Sequence, residues 1–84
     1  MIAEQIKQKL EVAFQPQQLE VRNVSHQHQG HAQSPETGES HFEVLLVSQH
    51  FQGMSRLARQ RAVYDILKDE MQTIHALSLE LREA

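Results

Sequence analysis

Ile2, Ile6, Leu10 and the Ala13/Phe14 pair recur at helical spacing, and Pro16 closes the pattern. The spacing predicts a first helix running to about residue 14. Leu19 and Val21 then alternate with Glu20 and Arg22, the two-residue period of a short, half-buried strand. From Val24 to Ser40 the chain is polar, with Gly30, Pro35 and Gly38 as breakers. This reads as a loop over 24–40, rich in His and Gln and longer than ordinary connections. HFEVLLVS, residues 41–48, is β-branched and apolar throughout its centre, as expected of a central strand pairing with Leu19 to Asn23. Beyond Gly53, Ser55 can cap a second helix. There Leu57, Val63, Ile66/Leu67 and Met71 form one stripe, with Arg59, Asp65, Lys68 and Asp69 largely off it. Leu77, Leu79 and Leu81 alternate with Ser78 and Glu80 in a third strand, and counting back by twos puts His75 at the start of their face. The order helix, strand, strand, helix, strand predicts an α+β domain over 1–84, with both helices packed on one face of a three-stranded sheet.

Composition narrows what such a domain does. No apolar run approaches the roughly 18 to 20 residues that span a bilayer, so no membrane role is expected. The amino-terminal helix lacks the unbroken apolar block of a secretory signal, and a cytoplasmic address follows as the expectation. Without a secretory route, the glycosylation pattern Asn23-Val24-Ser25 has no meaning. Cysteine is absent, which excludes disulfides and any thiolate metal site built from this chain's own sulfurs. The formal charge is −3 with six neutral histidines, and protonating all six would bring it to +3. Nucleic-acid binding should therefore be weak and favoured by mild acid.

The chemistry concentrates in histidines. SHQHQGHAQ, residues 25–33, carries His26, His28 and His31 with no carboxylate among them, and His41, His50 and His75 follow. Taken residue by residue, His75 reads as a core-edge histidine held by a hydrogen bond or as a ligand. His26 and His31 read as solvated loop residues, His41 as a structural residue or a support for a ligand rather than a ligand itself, and His50 as a surface residue. No nucleophile has a matched base, and neither a carboxylate pair in an apolar setting nor a phosphate-cradling glycine loop can be found. The chain is not expected to be an enzyme, and no small-molecule substrate is expected. Arg56, Arg59 and Arg61, with Lys68 further on, offer a cationic helix surface for phosphates or a partner, or a solvated face pairing with Asp65 or Glu70.

LEVRNVS with its following histidines, GESHFEVLLVS, the FQGMSRLARQRAVYDIL segment and IHALSLEL together resemble the BolA family from end to end. The resemblance implies a type II KH-like αββαβ fold. It also implies partnership with a monothiol glutaredoxin around a shared [2Fe–2S] cluster, with glutathione, in iron–sulfur trafficking or iron/redox regulation. The family's two cluster-binding histidines would fall on His28 and His75, with His26 and His31 as alternative loop ligands. The isolated chain would hold no cluster. Where the family usually has Arg-His-Arg on the long helix, this chain has Arg59-Gln60-Arg61, and its loop before His41 is longer than usual. Coordination chemistry agrees with a shared site, since two imidazoles supply half of a first shell and a partner's thiolates would complete it. The alternative implied by the resemblance is a DNA-binding transcriptional regulator using the helix that carries Arg56, Arg59 and Arg61.

Overall fold

A computed structural model of the chain describes residues 2–24 and 41–84. Among the described residues the elements run α1 (Ile2–Phe14), β1 (Gln18–Asn23), β2 (His41–Ser48), α2 (Arg56–Ile66) and β3 (Ala76–Glu83), with 3₁₀ turns at Gln49–Phe51 and Glu70–Gln72. The sheet order is β1-β2-β3, so β2 is central. It pairs antiparallel with β1 and parallel with β3. The parallel pair requires a crossover, which α2 and the turn after it supply. This α+β arrangement is the one the polarity pattern predicts. Among the described residues no helix is long and apolar enough to cross a membrane.

Exposure along β2 alternates strictly, with Phe42, Val44, Leu46 and Ser48 buried and the intervening residues half-buried. The register sets Leu19 and Val21 of β1 opposite Leu46 and Val44, while Phe42, Val44 and Leu46 lie opposite Leu77, Leu79 and Leu81 of β3. Onto this face pack Ile6, Leu10 and Phe14 from α1, Val63 and Leu67 from α2 and its end, and Phe51 and Ile74 from the turns. Each fully buried side chain of this kind contributes about 1.5–3 kcal/mol by leaving water. Both helices therefore share one face of the sheet.

Local chemistry explains the boundaries. α1 ends as Gln15 takes the left-handed φ of 46° and Pro16 follows. The hydroxyl of buried Ser48 donates to the Phe14 carbonyl at 2.7 Å and accepts the His50 N–H at 3.1 Å, satisfying one of the carbonyls the helix end leaves open. At α2 the Ser55 hydroxyl accepts the Ala58 N–H at 3.1 Å, the expected N-cap.

Three sequence expectations need correction. Leu57 does not share a stripe with Val63; it is 55% exposed. Six residues at 3.6 per turn carry the chain about 240° round the helix, so a cap that turns Val63 inward turns Leu57 out. Met71 belongs to the separate 3₁₀ turn rather than to α2. Val24, assigned to the loop, still donates its N–H to the His41 carbonyl at 2.9 Å and extends the β1–β2 ladder by one rung.

Candidate functional site

His41 and His75 meet at one end of the sheet. His41 opens β2, and its register partner is Ala76, the first residue of β3. His75 is thus placed beside it by the parallel ladder. The two imidazole rings lie 5.8 Å apart between centroids with planes 24° from parallel. His41 is half-buried and His75 exposed. The count by twos that assigns His75 to the Leu77 face stops at Ala76. His75 sits in the bend before the strand, and its ring lies against His41, which shares the phase of Glu43 and Leu45 on the face away from the helices.

The backbone that carries His75 is held from below. The Glu70 carbonyl accepts the N–H groups of Thr73 at 3.0 Å and Ile74 at 3.1 Å, and Ile74 is buried in the core. The Glu70 side chain is itself buried, and the Lys9 ammonium from α1 lies 2.9 Å from each of its carboxylate oxygens. Such a buried charge persists only when paired. A continuous set of contacts therefore runs from α1 through Glu70 and its turn to His75. Neither Lys9 nor Glu70 stands out in the sequence, because the pair is separated by 61 positions and nothing local marks it.

The loop histidines His26, His28 and His31 lie outside the described residues. Among the described residues no group of three or more His, Asp or Glu side chains could hold a metal ion. Apart from its ring contact with His41, the exposed His75 side chain has no partner among the described residues. The exposed side chain is open to an external ligand, and a first shell would need donors from elsewhere. His50 is exposed, as expected, although its ring meets Phe14 edge-on at 6.4 Å.

The cationic residues divide into two groups. Arg56, Arg61 and Lys68 are exposed. Arg59 belongs to the scaffold: it donates through Nε to the Met54 carbonyl at 3.1 Å and through Nη1 to the Leu81 carbonyl at 3.2 Å. It also lies 3.7 Å from Glu83 and 5.9 Å from the centroid of the Phe51 ring. Arg59 is therefore not part of an open cationic surface, whereas Arg56 and Arg61 are exposed but stand five positions apart, about 140° round the helix. Nor, among the described residues, do arginines pair with Asp65 or Glu70: Glu70 is taken by Lys9, and Arg59 lies against Glu83.

The fold and these side chains define a small αββαβ domain with an imidazole pair at one sheet end and a cationic helix flank. The chain belongs to the BolA-like protein family, whose model matches residues 10–84. It is 52% identical over 81 residues to a Sinorhizobium protein encoded in the region 5′ of cobS, covering 94% of this chain and 87% of that protein. It is 46% identical to the Escherichia coli DNA-binding transcriptional regulator BolA, covering 94% of this chain and 72% of the relative. The structure of BolA1 from Arabidopsis thaliana superposes with a TM-score of 0.86 at 38% identity, covering 96% of this chain and 89% of that one. Of two longer Arabidopsis relatives the chain spans 21% and 50%.

Proposed function

We infer that the chain is an adaptor for a monothiol glutaredoxin, lending imidazole nitrogen to a [2Fe–2S] cluster that the two proteins share with glutathione. The observation that carries this reading is His75, an exposed imidazole with no hydrogen bond among the described residues. Its backbone is held by Ile74 and Glu70, in a chain with no cysteine. A rigidly placed single donor is half of an intermolecular site. Iron in such clusters accepts histidine nitrogen alongside thiolate sulfur. His75 is the fixed ligand, His28 the loop ligand with His26 and His31 as substitutes, and His41 limits the orientations open to the His75 ring.

The test mixes the purified chain with a monothiol glutaredoxin, glutathione, iron and sulfide, and follows absorbance and the paramagnetic resonance of the reduced cluster. His75→Ala should abolish the histidine-ligated signal. His28→Ala should weaken it, and the His26/His28/His31 triple alanine variant should remove it. A His75→Ala protein that keeps the signal, or a triple variant that behaves like the parent, overturns the assignment.

The second reading is a DNA-binding regulator. What favours it is the similarity to the Escherichia coli DNA-binding transcriptional regulator BolA, together with Arg56, Arg61 and Lys68 exposed on and just beyond α2. With a net charge of −3, binding rests on this local patch and falls steeply with salt.

A further inference from the structure

β3 is an edge strand, and two contacts fix which of its backbone groups face outward. The Ala84 N–H donates to the Ser48 carbonyl at 3.2 Å across the parallel ladder. In a parallel ladder alternate residues point both backbone groups at the neighbour, so Ala76, Ser78, Glu80 and Arg82 serve β2. Leu77, Leu79 and Leu81 then turn their N–H and C=O groups away from the sheet. The Arg59 guanidinium meets the Leu81 carbonyl from that outer side at 3.2 Å. The remaining outward groups of Leu77 and Leu79, and the Leu81 N–H, have no partner among the described residues.

Beside this edge lies a groove of about 490 Å³, lined by Arg56 and Gln60 of α2 and by residues Leu79 to Arg82 of β3. Its charges are unequal. Glu80 and Arg82 pair with each other, whereas the exposed Arg56 side chain has no partner among the described residues. The uncompensated charge in the groove is a single cation. Open strand edges pair with other chains unless blocked by charge, proline or a covering element. Here Arg59 covers one carbonyl and leaves the rest.

We propose that the β3 edge from Leu77 to Leu81 accepts an extended segment of a partner protein as a fourth strand, and that a carboxylate of that segment sits against Arg56. The alternating outward donors and acceptors give the match to an extended backbone, and the groove beside them selects the side chain. This site runs along β3 beyond the imidazole pair, which lies where the strand begins.

The probe is a capped peptide of alternating valine and glutamate, titrated into the ¹⁵N-labelled chain, with the valine–lysine counterpart as comparison. The glutamate peptide should shift the amides of Leu77, Leu79 and Leu81 and slow their exchange with solvent. Arg56→Gln should weaken its affinity roughly fivefold, the loss of one exposed ion pair. Leu79→Pro removes an outward N–H while keeping the inward hydrogen bonds and should abolish binding; because the Leu79 side chain also packs against the core, circular dichroism checks that the fold is kept. Should that variant unfold, the Arg56→Gln comparison decides. The proposal is overturned if the Leu77–Leu81 amides do not respond, or if the lysine peptide binds as well. A self-associated dimer displaced by the peptide would assign the edge to a second copy and overturn the partner assignment.

Discussion

Lys9→Met should destabilise the fold far more than Glu70→Gln, although both changes break the same ion pair. The Lys9 ammonium lies 2.9 Å from both Glu70 oxygens, and the two side chains are 39% and 7% exposed. In Lys9→Met the methionine retains most of the apolar stem, but the carboxylate remains buried with no counter-charge. A stranded buried charge of this kind costs about 3 kcal/mol. In Glu70→Gln the amide oxygen still accepts from the ammonium, and Lys9 is open enough to turn to water. The neutral amide strands no buried charge, and the loss is that of one hydrogen-bonded contact, about 1 kcal/mol. For a domain of this size 1 kcal/mol shifts Tm by about 4–8 °C, so the variants should melt at least about 8 °C apart. Thermal melts monitored by circular dichroism measure the gap. Amide exchange supplies a second readout, because the Thr73 and Ile74 N–H groups both bond to the Glu70 carbonyl. In Lys9→Met they should exchange faster than the amides of β2. A Glu70→Gln protein melting at or below Lys9→Met would refute the reasoning, since the carboxylate would then not depend on Lys9.

Arg59→Ala should lose about 1.5–3 kcal/mol in urea unfolding, the worth of hydrogen bonds made by a charged donor, whereas Arg56→Ala and Arg61→Ala should stay within about 0.5 kcal/mol of the parent. Equal effects at all three positions would contradict the division of the cations. Ser48→Ala leaves the Phe14 carbonyl and the His50 N–H without their buried partner and should cost about 1–3 kcal/mol, seen as a lower urea midpoint at unchanged slope. In the proposed complex with a glutaredoxin, His41→Ala should broaden the paramagnetic signal of the cluster, because the His75 ring loses the neighbour 5.8 Å away. An unchanged line shape would remove His41 from the site.

The strands and α1 are legible in the sequence because local chemistry decides them. HFEVLLVS begins and ends where β2 does, since a run of β-branched and apolar residues bounded by polar segments has few other solutions. Ile6, Leu10 and Phe14 fall on one side of α1 whatever packs there. α2 was harder to read because its apolar residues fit two phases, one through Leu57 and one through Val63, and tertiary packing selects the second. Arg59 looked like its neighbours in the sequence, and its commitment to Met54 and Leu81 follows only from that same rotation.

The imidazole pair was legible in one half and illegible in the other for a related reason. A motif can single out His75 as a residue type at a helix-to-strand junction, but its neighbour depends on the parallel register that sets His41 opposite Ala76. A hairpin fixes register through its turn, whereas β2 and β3 are joined by a crossover that fixes none. The register here is set by burial, with Phe42, Val44 and Leu46 having to meet Leu77, Leu79 and Leu81 on the helix side. A slip of one residue would turn the leucines of β3 to the open face and carry His75 away from His41. The core that holds the sheet together thereby also places the imidazole pair, so mutations in the Leu77–Leu81 stripe will reach the site through register before they reach it through contact.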